Sequence, residues 1–129
     1  MKYFFDNCIS YHYARMLAAL EEFEVVALRD KFPPGIDDVA MFRKLRGSGY
    51  VFVTCDDRQK TREGEARALH EAGLTALWFG PFWSKKQFWD QARWIINRWP
   101  TIDGYVKGVA PGTCAEVKEN GRSRPFSLV

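Results

Sequence analysis

Largely apolar residues occur in four short runs along the chain, at 2–5, 23–28, 50–54 and 74–79. The runs at 50–54 and 74–79 show no alternation of apolar and polar positions. Strands of this kind are typical of parallel sheets, whose two faces are both covered by helices. The pattern therefore predicts a mainly parallel sheet with helices between its strands.

Helical spacing of apolar residues marks the segments between these runs. Start and stop residues then give approximate bounds. The first predicted helix covers 11–22, with Ser10 as its N-cap, and the second is opened by Asp37 or Asp38. The third covers 61–72 and is ended by Gly73. The fourth starts at a capping box over 84–87 and is closed by Pro100.

The order β-α-β-α-β-α-β-α predicts a three-layer α/β/α sandwich. Residues 113–118 and 124–128 would pair as a hairpin around Asn120 and Gly121, or form an extended tail. A length of 129 residues suits one domain, here 1–129. The fold class expected is therefore α/β, in a single domain.

Composition and charge restrict the partners and the cellular compartment that suit this chain. The net charge of +3 permits a polyanionic partner without requiring one. Three cysteines without Cys-x-x-Cys spacing argue against a disulfide framework and a zinc ribbon, and they favour the reducing cytoplasm. Cys8 and Cys55 are expected to be small buried residues. No membrane span or signal-peptide pattern is present.

Carboxylates follow two of the predicted strands and open one helix: Asp6, then Asp37 and Asp38, then Asp56 and Asp57. Ligands bind beyond the carboxyl ends of strands in such sheets, so these acids can share one edge. Clustered carboxylates repel one another unless a cation neutralises them. Mg²⁺ or Mn²⁺ suits an all-oxygen site and can activate water for attack on a phosphate. Taken singly, each acid is also ordinary at a turn or helix N-cap.

The three motifs, in order, resemble those of PIN-like domains, in particular the short VapC-type toxin group. They are Phe5-Asp6-Asn7-Cys8-Ile9-Ser10, Gly35-x-Asp37-Asp38 before a helix, and Val53-Thr54-Cys55-Asp56-Asp57. The likeness covers residues 2–80 well and the tail weakly. It implies a PIN-like fold and metal-dependent cleavage of RNA phosphodiesters, with an antitoxin protein as a candidate partner.

Carried over residue by residue, the resemblance makes Asp6, Asp37 and Asp56 metal ligands and catalytic residues. Asp38 is the alternative to Asp37. Relatives often carry an acid two positions after Asp56, where this chain has Arg58, and Asp57 is the substitute available.

Other residues near these motifs are candidates for supporting roles. Asn7 and Thr54 would support the site. Basic residues after the third motif would contact the RNA backbone through its phosphates, although each is more simply explained as solvated surface charge: Arg58, Lys60 and Arg62. Of the tryptophans, Trp99 is expected in the core, whereas Trp89 and Trp94 fall off the apolar stripe and suggest a surface that binds an antitoxin or a second copy of the chain.

Two other functions remain open from the sequence. One is a non-catalytic PIN-like module that binds nucleic acid or protein, which the Arg58 substitution favours. The other is a receiver-like signalling domain. That class needs paired acids after the first strand and a lysine after the fifth, and neither is evident.

Overall fold

The structure, a computed structural model, describes residues 1–128. Within them, the strands form one six-stranded sheet in the order β2-β1-β3-β4-β5-β6. All neighbours are parallel except β5 and β6. The strands are β1 (Lys2–Phe5), β2 (Glu24–Ala27), β3 (Tyr50–Thr54), β4 (Ala76–Phe79), β5 (Cys114–Val117) and β6 (Ser123–Phe126).

Helices lie on both faces of this sheet. They are α1 (Tyr11–Ala19), α2 (Leu28–Lys31), α3 (Asp38–Leu45), α4 (Arg58–Thr61), α5 (Glu63–Ala72) and α6 (Phe88–Gly108), with a 3₁₀ turn at Trp83–Lys85. The α/β sandwich and mainly parallel sheet expected from the sequence are confirmed. Residues 114–126 form the expected hairpin, but β5 also pairs with β4, so the tail extends the sheet.

Alternate residues of the central strands feed two separate cores. Tyr3 and Phe5 point into the core beneath α1 and α6, whereas Phe4 points into the core beneath α3 and α5. Because successive side chains of a strand face opposite sides, burial on both sides requires an unbroken apolar run. This explains the pattern seen in the sequence.

Ser10, Asp37 and Gly73 have the capping roles expected of them. The Ser10 hydroxyl accepts a hydrogen bond from the His12 amide, and Asp37 accepts one from the Ala40 amide. Gly73 ends α5 in the left-handed conformation, with φ of 67°.

Both expected ends of the last helix, α6, are wrong. Ser84 forms no capping box: its hydroxyl donates to the Pro81 carbonyl, and α6 begins only at Phe88. Pro100 lies inside α6 instead of closing it. An internal proline costs about 3 kcal/mol, but the helix beyond it buries Ile102 and Val106, which offsets this cost.

Three further features differ from what the sequence predicts. The helix expected over 61–72 is interrupted at Arg62, whose backbone is extended, so residues 58–61 form the separate turn α4. The first turn of the loop expected after residue 28 is helical, as α2. Trp94 is buried against Phe79 and Trp83 and so is not a surface residue, whereas Trp89 is 70% exposed.

Candidate functional site

Asp6 lies at the carboxyl edge of the sheet, directly after β1. Its backbone amide donates to the Val53 carbonyl at 2.9 Å, which continues the pairing of β1 with β3 by one residue. The side chain is only 7% exposed. The parallel register therefore holds a carboxylate in a buried position beside the end of β3.

Every polar contact of the Asp6 carboxylate is with a hydrogen-bond donor. Oδ1 accepts from the Asn7 backbone amide at 2.8 Å, and Oδ2 accepts from Thr54 Oγ1 at 2.8 Å and from Gln59 Nε2 at 3.1 Å. Burial raises the pKa of Asp6, and the charge of Asp38 adds to the increase, while these three hydrogen bonds oppose it. The predicted supporting role of Thr54 agrees with this geometry, whereas Asn7 takes part through its backbone.

Gln59, which no sequence motif marks, connects Asp6 to a second acid. Its side chain is 1% exposed, and Nε2 also donates to Asp38 Oδ2 at 3.2 Å. Its Oε1 is buried and has no hydrogen-bond partner among the described residues. One amide nitrogen thus bridges two carboxylates, and the amide oxygen beside it is unsatisfied, which is costly in a buried site.

Asp38, rather than Asp37, is the acid of the second motif that lies near Asp6. Asp37 is exposed and its Oδ2 binds the Ala40 amide at the N-terminus of α3. Asp38 is the next residue and is half-buried. Asp37 is the N-cap, outside the helix, and its carboxylate folds back onto α3, whereas Asp38 begins α3 and accepts the hydrogen bond from Gln59.

The third motif sits close to this pair, but its two carboxylates, Asp56 and Asp57, bind other residues. The Asp56 carboxylate accepts from the Arg58 amide at 3.0 Å and from Arg58 Nε at 3.1 Å. Asp57 is exposed and pairs with Lys60 at 3.2 Å. Thr54 Oγ1 accepts from the Asp56 amide at 3.1 Å, so the backbone of this motif is tied to the Asp6 network.

The basic residues predicted to contact RNA all pair with acids. Lys60 also approaches Glu116 at 3.7 Å, and Arg62 pairs with Glu65 at 3.0 Å. Arg29 is different: within residues 1–128 it makes no ion pair, and its guanidinium lies 4.1 Å from the Tyr11 ring centroid. Arg29 and Tyr11 line a cavity of about 460 Å³ that also reaches Asp6 and Asn7.

Two thiols flank the acids. The Cys55 amide donates to Cys8 Sγ at 3.0 Å, and the Cys55 thiol donates to the Cys8 carbonyl at 3.4 Å. Cys8 is exposed and Cys55 half-buried, so the expectation that both are small buried residues is wrong for Cys8. Hydrogen bonding by Cys55 lowers the pKa of the Cys8 thiol.

The negative charge of Asp6 and Asp38 suits a divalent cation, but the two residues supply only part of the ligand set that such a cation needs. Neither Asp6 nor Asp38 forms an ion pair within residues 1–128, although Asp6 is buried. The orphaned Oε1 of Gln59 is a further oxygen beside them. However, no group of three or more His, Cys, Asp or Glu side chains suited to a metal occurs in residues 1–128.

No helix among the described residues is long and apolar enough to cross a membrane. Searches of curated proteins and of solved structures found no significant match to this chain. The sequence model of the PIN-like domain matches residues 1–81, which contain β1 to β4 and the whole acidic site. The chain therefore belongs to the PIN-like domain family.

Proposed function

We propose that the protein is a metal-dependent nuclease that cleaves RNA phosphodiesters, with its active site at Asp6 and Asp38. The observation that carries this proposal is the pair of acids bridged by Gln59, Asp6 buried and Asp38 half-buried, without a cationic partner within residues 1–128. A buried carboxylate without a counter-ion is costly. A function that supplies the cation explains why such a pair is present.

In this proposal Asp6 and Asp38 hold Mg²⁺ or Mn²⁺. Asp56 would become a further ligand if the Arg58 side chain released it. The ion would act as a Lewis acid that activates water and neutralises charge on the phosphate. Thr54 and the Asn7 amide orient the Asp6 carboxylate. The exposed Arg29 contributes positive charge to the cavity that reaches Asp6, where a phosphate of the substrate would arrive.

The direct test is cleavage of RNA in Mn²⁺ by the wild type and by Asp6→Asn. A matched control is Asp90→Asn, which makes the same change at an exposed acid paired with Arg93. We expect cleavage by the wild type and by the control and none by Asp6→Asn. Equal activity of all three preparations would contradict the proposed site.

A finer form of the proposal makes the protein the toxin of a toxin–antitoxin pair. It rests on the likeness of the three motifs to the short VapC-type group. The test is growth arrest on induced expression of the wild type but not of Asp6→Asn, with rescue by the protein encoded next to it. Growth that is unaffected by an active nuclease would remove the toxin role and leave the enzyme.

A non-catalytic binding module is the second candidate, and the Arg58–Asp56 ion pair favours it. In such a module Arg58 permanently takes the place of a metal at the third motif. Calorimetric titration with Mn²⁺ separates the two candidates. Binding that requires Asp6 supports the enzyme, whereas no heat at millimolar metal, together with RNA binding, supports the module.

A further inference from the structure

We propose that Cys8 and Cys55 form a modification site, a dithiol that peroxide or a low-molecular-weight disulfide converts into an intramolecular disulfide. The two residues follow neighbouring parallel strands, β1 and β3. Each sulfur already contacts its partner residue: Cys8 Sγ lies 3.0 Å from the Cys55 amide nitrogen, and Cys55 Sγ lies 3.4 Å from the Cys8 carbonyl oxygen.

The strand pairing accounts for this placement. Phe5 is in register with Val53, and the Asp6 amide continues the ladder to Val53. Cys8 lies in the turn that follows β1, outside the ladder. Because each sulfur already contacts the backbone of the other cysteine, closing the bond calls for rotation of the two side chains.

Solvent exposure distinguishes Cys8 and Cys55 from the third cysteine, Cys114. Cys8 is exposed and Cys55 is half-buried, whereas Cys114 is buried in β5. An oxidant in solution therefore reaches Cys8 first. Cys55 then acts as the resolving thiol, because it lies against Cys8.

The chemistry balances with either class of oxidant. With peroxide, the Cys8 sulfur takes one oxygen to form a sulfenic acid and releases water. The Cys55 sulfur then displaces that oxygen as a second water. With a disulfide oxidant, Cys8 forms a mixed disulfide and Cys55 expels the second small thiol. Each route removes two electrons and two protons from the pair.

The bond would sit at the rim of the acidic site. In the reduced protein the Cys8 thiol lies 3.3 Å from Thr54 Oγ1 and 3.8 Å from Asp6 Oδ2. Oxidation removes the thiol proton from these contacts and links the segment after β1 to the segment after β3. The proposal does not depend on nuclease activity, because its product is detected directly.

The experiment is peptide mapping of the full chain after treatment with hydrogen peroxide or oxidised glutathione and blocking of free thiols. Trypsin places Cys8, Cys55 and Cys114 in the separate peptides 3–15, 47–58 and 108–118. We expect 3–15 linked to 47–58 as the main product, a free thiol in 108–118, and full reversal by dithiothreitol. Oxidation in urea is the reference, since all three pairings should then form.

Variants complete the test. Cys114→Ser should leave the cross-link unchanged, whereas Cys8→Ser and Cys55→Ser should each abolish it. Because the mapping of the wild type needs no variant, a variant that fails to fold does not affect the result. Two outcomes would overturn the proposal: Cys8 oxidised or glutathionylated without a link to 47–58, and a folded protein that gives the same mixture of pairings as in urea.

Discussion

Gln59 Nε2 lies 3.1 Å from Asp6 Oδ2, and the same nitrogen donates to Asp38. A neutral amide therefore stands between two carboxylates, where a third carboxylate would complete a ligand set for a hard cation. The replacement Gln59→Glu has almost the same shape and tests this relationship directly.

We expect Gln59→Glu to bind Mn²⁺ roughly tenfold more tightly than the wild type, which corresponds to about 1.4 kcal/mol. Without metal, the variant should be less stable, because three acids then repel one another. Calorimetry and thermal unfolding with and without Mn²⁺ measure both effects. Gln87→Glu adds the same charge at an exposed position and should leave Mn²⁺ binding unchanged.

Asp6→Asn is expected to stabilise the metal-free protein by about 1 kcal/mol at neutral pH. Burial raises the pKa of Asp6. The metal-free protein is therefore more stable when Asp6 is protonated, and it loses this advantage as the pH rises through the raised pKa. An asparagine amide carries no charge and can donate to the orphaned Oε1 of Gln59.

Thermal unfolding between acid and neutral pH measures the difference in stability between Asp6→Asn and the wild type. This difference should become smaller as the pH falls and the wild-type carboxyl is protonated. Added Mn²⁺ should raise the melting temperature of the wild type and not of Asp6→Asn. A variant that is less stable than the wild type at neutral pH would contradict this account of the site.

Arg58→Ala should strengthen Mn²⁺ binding several-fold, by releasing Asp56 and removing a positive charge. The cost in stability should be small, since ion pairs with an exposed partner contribute about 0–1 kcal/mol. Arg67→Ala is the matched control: it breaks the exposed pair with Glu63 on α5 and should leave metal binding unchanged. Equal affinities of both variants and the wild type would exclude Arg58 as a competitor of the metal.

Asp103 should make the stability of the fold depend on pH. Its buried carboxylate accepts from Tyr3 at 2.5 Å and pairs with Lys107 at 3.0 Å. Burial acts to raise the pKa of Asp103, but the hydrogen bonds from Tyr3 and Lys107 and the charge of the N-terminus lower it overall. With a lowered pKa, the stabilisation is complete above the ordinary pKa of Asp and is lost as the pH falls through the lowered value.

Asp103→Asn should therefore cost about 1.5–3 kcal/mol at neutral pH, the usual worth of hydrogen bonds to a charged group. The difference from the wild type should shrink in acid. Urea unfolding at several pH values measures it, with Asp90→Asn as the exposed control. A difference that is constant over the whole acid range would show that the charge of Asp103 is not what stabilises the fold.

The sequence by itself determined the layers and the edge where the acids lie. Unbroken apolar runs such as 50–54 are stable only between two layers of helices, so they predicted the sheet and its parallel strands. The position of Asp6 after β1 followed from this. The identity of the caps Ser10, Asp37 and Gly73 followed from local chemistry alone.

Only the tertiary structure decided which polar groups meet. Gln59 stands among charged residues in the sequence, and its burial depends on the break at Arg62 that turns α4 back towards Asp6. The choice of Asp38 over Asp37 depends on the rotation of α3 against the sheet. Pro100 stays within α6 because the sheet buries the residues beyond it. These outcomes depend on distant contacts, which hydrophobic spacing and local propensity do not encode.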